Sequence, residues 1–144
     1  MSLQIENDDK GEQMGFWKCF LDMLKPKKTV VPVELTPENF FPSIQNSPVP
    51  VLVDFYSLTC LPCRQMAKTV TKFATDFQGR VRVGAFHTAL DTEGKILVPL
   101  KVRAVPTLIF FNKGRPVETF VGLTGYLKLV DSLERIEKSN SHGG

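Results

Sequence analysis

Apolar residues in this chain fall into two kinds of pattern, short continuous runs and stripes repeating every three or four positions. Val51-Leu52-Val53-Asp54-Phe55-Tyr56 is apolar on both faces except at Asp54, the pattern of a central strand covered on each side. Met66, Ala67, Val70, Phe73, Ala74 and Phe77 then share one face of a helix beginning near Arg64, and Gly79 stops it. Thr29 to Leu35 predicts a first strand, and Thr36-Pro37-Glu38 a helix start with a capping hydroxyl and a proline at the first helical position. Val81 to Ala85 predicts a third strand. Asp91-Thr92-Glu93-Gly94 opens a short helical stretch that Pro99 ends. Thr107 to Phe111 and Val117 to Val121, around Asn112-Lys113-Gly114, predict a hairpin. Thr124 caps a last helix whose Leu127, Val130, Leu133 and Ile136 face inward.

The order is β-α-β-α-β-α-β-β-α, an α/β fold with a mixed central sheet flanked by helices on both faces. Its boundaries divide the chain into an extension at 1–29, a domain at 30–138 and a loose tail at 139–144. In the extension, Trp17, Phe20, Leu21 and Leu24 lie at helical spacing, Phe16 widens that face, and Lys25-Pro26-Lys27-Lys28 ends it. Such a helix either packs back on the domain or serves as an interfacial or partner-docking arm with lysines toward anionic lipid.

The total of 144 residues suits one domain with short extensions, and 42% hydrophobic with 23% charged residues describes an ordinary globular chain. A net charge of +3 argues for no nucleic-acid partner. No run reaches the ~18–20 apolar residues of a membrane-spanning helix, and the polar start lacks the order of a signal peptide. A cytoplasmic location is therefore expected.

Chemistry concentrates where the second strand hands over to its helix, at Cys60-Leu61-Pro62-Cys63. Two cysteines at this spacing can close and reopen a small disulfide. The first helical turn carries unpaired N–H groups and partial positive charge, which favour a thiolate at Cys60. Cys60 is the expected nucleophile and Cys63, one turn further in, the resolving thiol. A half zinc site would need two more ligands; Cys19, His87 and His142 form no second paired motif, so no metal is expected. Three cysteines also argue against a disulfide scaffold, leaving Cys19 as an apolar-face residue. Asp54 inside an apolar strand costs free energy unless it is neutral, paired or useful; capping of the following turn is the simpler alternative.

Val51 to Tyr56 followed by Cys60 to Arg64 resembles the active-site segment of the thioredoxin family. Ala104-Val105-Pro106-Thr107-Leu108-Ile109-Phe110-Phe111 is similar to that family's cis-proline loop and following strand, and Val121-Gly122 to its approach to the last helix. The resemblance implies the thioredoxin fold over roughly residues 30–138. It implies that Asp54 sits behind Cys63 and shuttles its proton, and that the Val105–Pro106 bond is cis and faces the cysteines. The backbone of Val105 would then pair with an extended substrate, with Gly122 allowing close approach.

The implied activity is that of a thiol–disulfide oxidoreductase, a protein-disulfide reductase. Its partners would be disulfide-containing proteins and an external reductant such as a thioredoxin reductase. No phosphate-cradling glycine loop is present, so no cofactor is expected on this chain. The alternative is a binding or assembly module docking partners through the N-terminal helix.

Departures from the family are equally legible. Leu61-Pro62 replaces the usual glycine-proline between the cysteines, Pro62 restricting that loop. Thr59 replaces the usual tryptophan, and Lys68 the proline of the active-site helix. The family's lysine beside the buried aspartate is replaced by His87 when counted back from Pro106, or by Ala85 when counted forward from Cys63.

Overall fold

The computed structural model describes residues 20, 21, 24 and 28–143. Among these residues five strands form one mixed sheet: β1 (Val33–Glu34), β2 (Val51–Tyr56), β3 (Arg82–His87), β4 (Thr107–Asn112) and β5 (Arg115–Val121). Their order across the sheet is β1-β3-β2-β4-β5. β3 lies parallel to both β1 and β2, whereas β4 runs antiparallel to β2 and β5. Helices α1 (Phe40–Gln45), α2 (Leu61–Asp76) and α3 (Tyr126–Gly143) accompany the sheet.

Strand alternation divides the core in two. Leu52, Leu108 and Phe110 turn to one face and meet Met66, Val70 and Phe73 of α2 with Leu129 and Leu133 of α3. Val51, Val53, Phe55, Ile109 and Phe111 turn to the other and meet Phe40 and Ile44 of α1 with Ile96. Gly84 belongs to this second face, where Leu35 lies so close that a Cβ would stand 2.8 Å from its Cδ1. The hairpin matches its sequence signal, with Lys113 and Gly114 both at positive φ, as a two-residue type I′ turn requires.

Several boundaries differ from the sequence reading. β1 shrinks to two residues because Pro32 brings no N–H, and the backbone N–H of Val30 donates instead to Thr75 Oγ1 at 2.9 Å. Thr36 and Asn39 exchange side-chain-to-backbone hydrogen bonds, and this turn delays α1 to Phe40. The helix expected after Asp91 is instead a 3₁₀ turn at Thr88–Leu90 followed by tight turns. The Asp91 carboxylate holds these by accepting from Lys95, Ile96 and Leu97 N–H. In α3 the inward face is Leu129, Ser132, Leu133 and Ile136, with Leu127 exposed. Thr124 does not cap that helix; its hydroxyl donates to the Gly122 carbonyl at 3.1 Å. α3 also continues through Asn140-Ser141-His142, assigned above to a loose tail.

Phe20, Leu21 and Leu24 are helical and exposed, while Phe16, Trp17 and Cys19 lie outside the described residues. Among the described residues no helix is long and apolar enough to cross a membrane.

Candidate active site

α2 is positioned by its first turn. Cys60 is the N-cap in extended conformation, its sulfur accepts the N–H of Cys63 at 3.1 Å, and Leu61-Pro62 are the first two helical residues. Pro62 fits because that position has no intrahelical acceptor for its missing N–H. Cys60 and Cys63 form a disulfide with Cα atoms 5.2 Å apart. The two sulfurs differ in access: Cys63 is 4% exposed, and Cys60 is partly exposed at the surface. Leu58 and Leu61 beside them are 65% and 68% exposed, making an apolar rim.

Sheet register brings the remaining candidates to the same end. Phe55 pairs with Thr107, and Thr107 with Val121, so the Val105–Pro106 loop and Gly122 lie level with the loop leading to Cys60. The Val105–Pro106 bond is cis. Thr107 Oγ1 donates to the Ala104 carbonyl at 2.6 Å, and Gly122 N–H donates to the Pro106 carbonyl at 2.8 Å, fixing the loop from both sides. Gly122 has φ +88° with open space where a Cβ would be, so its backbone conformation, rather than crowding, requires glycine. Thr124 N–H contacts Met66 Sδ at 3.4 Å, joining this loop to α2.

Asp54 faces α2 and is 4% exposed. It lines a cavity of about 410 Å³ together with Cys63, Tyr56, Ala85, Glu34 and Arg64. Its Oδ1 is buried without a hydrogen-bond partner among the described residues. Burial pushes the carboxyl from its ordinary 3.8 up to about 7, and the negative charge of Glu34 adds to the rise. The residue opposite Asp54 on β3 is Ala85, and His87 pairs instead with Tyr56, on which it stacks with ring centroids 5.4 Å apart. His87 is thus not the residue beside Asp54. The extra residues lie after β3, so counting forward from Cys63 gives the right partner.

Sequence reasoning missed Glu34 and Tyr56. The Tyr56 hydroxyl donates to Glu34 Oε1 at 2.8 Å. Burial, the hydrogen bond and the charge of Glu34 hold the phenol up to about 12, so it remains a donor at neutral pH. The available signal was alternation: in Val33-Glu34-Leu35 the carboxylate points away from its apolar neighbours, toward the Asp54 face. Among the described residues no three His, Cys, Asp or Glu side chains gather as a metal site.

A dithiol that can open and close, one sulfur accessible and the other backed by a buried carboxyl, defines a thiol–disulfide exchange protein on an α/β sheet. The thioredoxin family model matches residues 31–135. A thioredoxin of Griffithsia pacifica is 35% identical over 101 residues, 70% of this chain and 91% of that protein. The bifunctional thioredoxin reductase/thioredoxin of Mycobacterium leprae is 31% identical over 114 residues, 79% of this chain and 24% of that one. Among solved structures, chloroplastic thioredoxin z superposes with a TM-score of 0.68 at 20% identity, covering 77% of this chain and 98% of that one; this likeness speaks to fold alone. The chain belongs to the thioredoxin family, and it is a protein thiol–disulfide oxidoreductase.

Proposed function

We propose that the protein works as a disulfide reductase in which Cys60 attacks and Cys63 resolves. The observation that carries this reading is the difference in access between the two sulfurs, with Cys60 capping α2 and Cys63 buried beside Asp54. The partial charge of the helix end and the Cys63 N–H both favour a Cys60 thiolate. That thiolate attacks a substrate disulfide and gives a mixed disulfide. Cys63 then passes its proton to Asp54 and attacks Cys60, releasing the reduced substrate. Domain limits of 1–29 and from 30 onward belong to the same reading, with the catalytic groups confined to the second segment, whose last helix runs to Gly143.

Substrate would lie as an extended segment against the Val105 backbone at Pro106, with Gly122 on its other side. The apolar rim of Leu58 and Leu61 favours disulfides flanked by apolar residues. An external reductant, of the kind fused to thioredoxin in the Mycobacterium leprae relative, recharges the pair. The protein then passes electrons to protein disulfides in a reducing compartment such as the cytoplasm and so helps set the cell's redox balance. Membrane contact would come from the lysine-flanked N-terminal segment.

Cys63→Ser tests the assignment of roles. Attack remains possible but resolution does not, so substrates should accumulate as mixed disulfides on Cys60, identified by peptide mass. Adducts on Cys19 instead would overturn it.

A further inference from the structure

β1, β3 and β2 lie side by side, and one row of register crosses all three: Glu34 pairs with Ala85, and Ala85 with Asp54. Side chains in one row point to the same face. Glu34 and Asp54 therefore flank Ala85 and face α2 together, and the small methyl between them leaves the cavity that both line. Two residues along β2, Tyr56 reaches back diagonally and donates to Glu34 Oε1 at 2.8 Å. Asp54 is deeply buried with an oxygen that has no hydrogen-bond partner among the described residues, whereas Glu34 sits exposed at the mouth.

We propose that Glu34, held by Tyr56, is a positioning residue for thiol–disulfide exchange: its charge at the cavity mouth governs when Asp54 accepts the proton of Cys63. This rests on the role given to Asp54 above. In the step concerned, the Cys63 thiol transfers its proton to the Asp54 carboxylate. The Cys63 thiolate then forms a bond to the Cys60 sulfur, and the bond from Cys60 to the substrate sulfur breaks. The substrate leaves as a thiolate with the electron pair and takes up a proton, so two protein thiols are oxidised as one substrate disulfide is reduced.

The step needs an ionised Asp54, and a second carboxylate nearby opposes that ionisation. After burial, the charge of Glu34 is what raises the Asp54 carboxyl further above its ordinary value. The other polar groups lining the cavity with Asp54 are Tyr56 of β2, Ser57 just after it, and Cys63, Arg64 and Thr71 of α2, while His87 of β3 stacks on Tyr56 outside that lining. From β4 its register partner is Leu108, which has no charge. Two strand spacings separate Glu34 and Asp54, roughly 9–10 Å. At that range the coupling corresponds to about one pH unit at low salt and roughly half of that at physiological salt.

Glu34→Gln removes the charge and keeps an acceptor for Tyr56. Reduced protein is mixed with excess glutathione disulfide and quenched with acid at intervals from pH 5 to 9. Masses of the mixed disulfide on Cys60 and of the Cys60–Cys63 disulfide give the resolution rate separately from attack. Glu34→Gln should lower the pH midpoint of resolution by about 0.5–1 unit, raise the rate at pH 6 about three- to fivefold, and leave the high-pH plateau in place. Asp54→Asn should abolish the transition. An unmoved midpoint in Glu34→Gln, or a rate reduced equally at every pH, overturns the role of Glu34 while the Asp54 transition stands. A wild-type profile in Asp54→Asn overturns the role of Asp54, and that of Glu34 with it.

Discussion

Replacing Asp54 with asparagine tests whether burial of this carboxyl imposes a cost on the fold. The folded protein holds the Asp54 proton up to about pH 7, against an ordinary value of 3.8 in the unfolded chain. A group whose folded value is raised contributes stability that is fully present below the unfolded value and is lost as pH climbs through the folded one. Between these two limits each pH unit removes about 1.4 kcal/mol, amounting to about 4 kcal/mol by pH 8. That is a large fraction of the 5–15 kcal/mol typical of a domain, so the effect should be easy to detect. Asparagine cannot ionise and escapes this loss. Its amide is itself buried with imperfect partners, at about 1–3 kcal/mol, but the protonated carboxyl carries a comparable cost. The informative quantity is therefore the difference between the two proteins as a function of pH. Urea midpoints of the disulfide-bonded forms at pH 4, 6, 7 and 8 supply it, titrations common to both proteins cancelling. The two should match near pH 4, and the variant should gain about 2–4 kcal/mol by pH 8. A difference that stays constant with pH, or a variant that is less stable at pH 8, would refute the desolvation argument and make Asp54 a structural cap.

Two further outcomes follow from the fold. Removing residues 1–28 should leave exchange with a small disulfide nearly unchanged, because Cys60, Cys63, Asp54 and the Pro106 loop all lie in the later chain. If the intact protein binds anionic vesicles, that binding should weaken with salt and vanish on truncation; a loss of exchange activity instead would place part of the site in the extension. Gly84→Ala should cost about 1–3 kcal/mol in a denaturation titration, because the new methyl meets Leu35 at 2.8 Å inside the second core. An unaffected midpoint would mean that Leu35 moves aside freely.

What the sequence reveals here depends on distance along the chain. β2, the start of α2 and the β4–β5 hairpin are read from contiguous patterns: an apolar run, a cysteine at a helix cap, and a lysine-glycine turn between two strands. Those local signals also place Cys60, Cys63 and Pro62. The Asp54 neighbourhood is of another kind, because it is set by register among three parallel strands whose order in the sheet, β1-β3-β2, differs from their order in the chain. Parallel register depends on the length of the connections, and here the connection from β3 to β4 carries residues that no local pattern can assign. His87 and Ala85 therefore compete on paper, and only the sheet decides between them. Glu34 was hidden for the same reason: nothing near Val33 or Leu35 says that β1 docks beside β3. β1 itself was overread because valine-rich sequence favours a strand, whereas the backbone partner of Val30 turns out to be a threonine side chain on α2.

Transfer of electrons to a protein disulfide is assigned to Cys60 and Cys63 acting as a pair. Its most direct measurement is a count of thiols in a single turnover: the fully reduced protein is mixed with insulin, and thiols are titrated on each protein after separation. Two thiols should appear on insulin for each Cys60–Cys63 disulfide formed, and Cys60→Ser should abolish the transfer. Insulin reduction that persists in Cys60→Ser, or a Cys60–Cys63 pair that stays reduced while insulin thiols appear, would contradict the assignment.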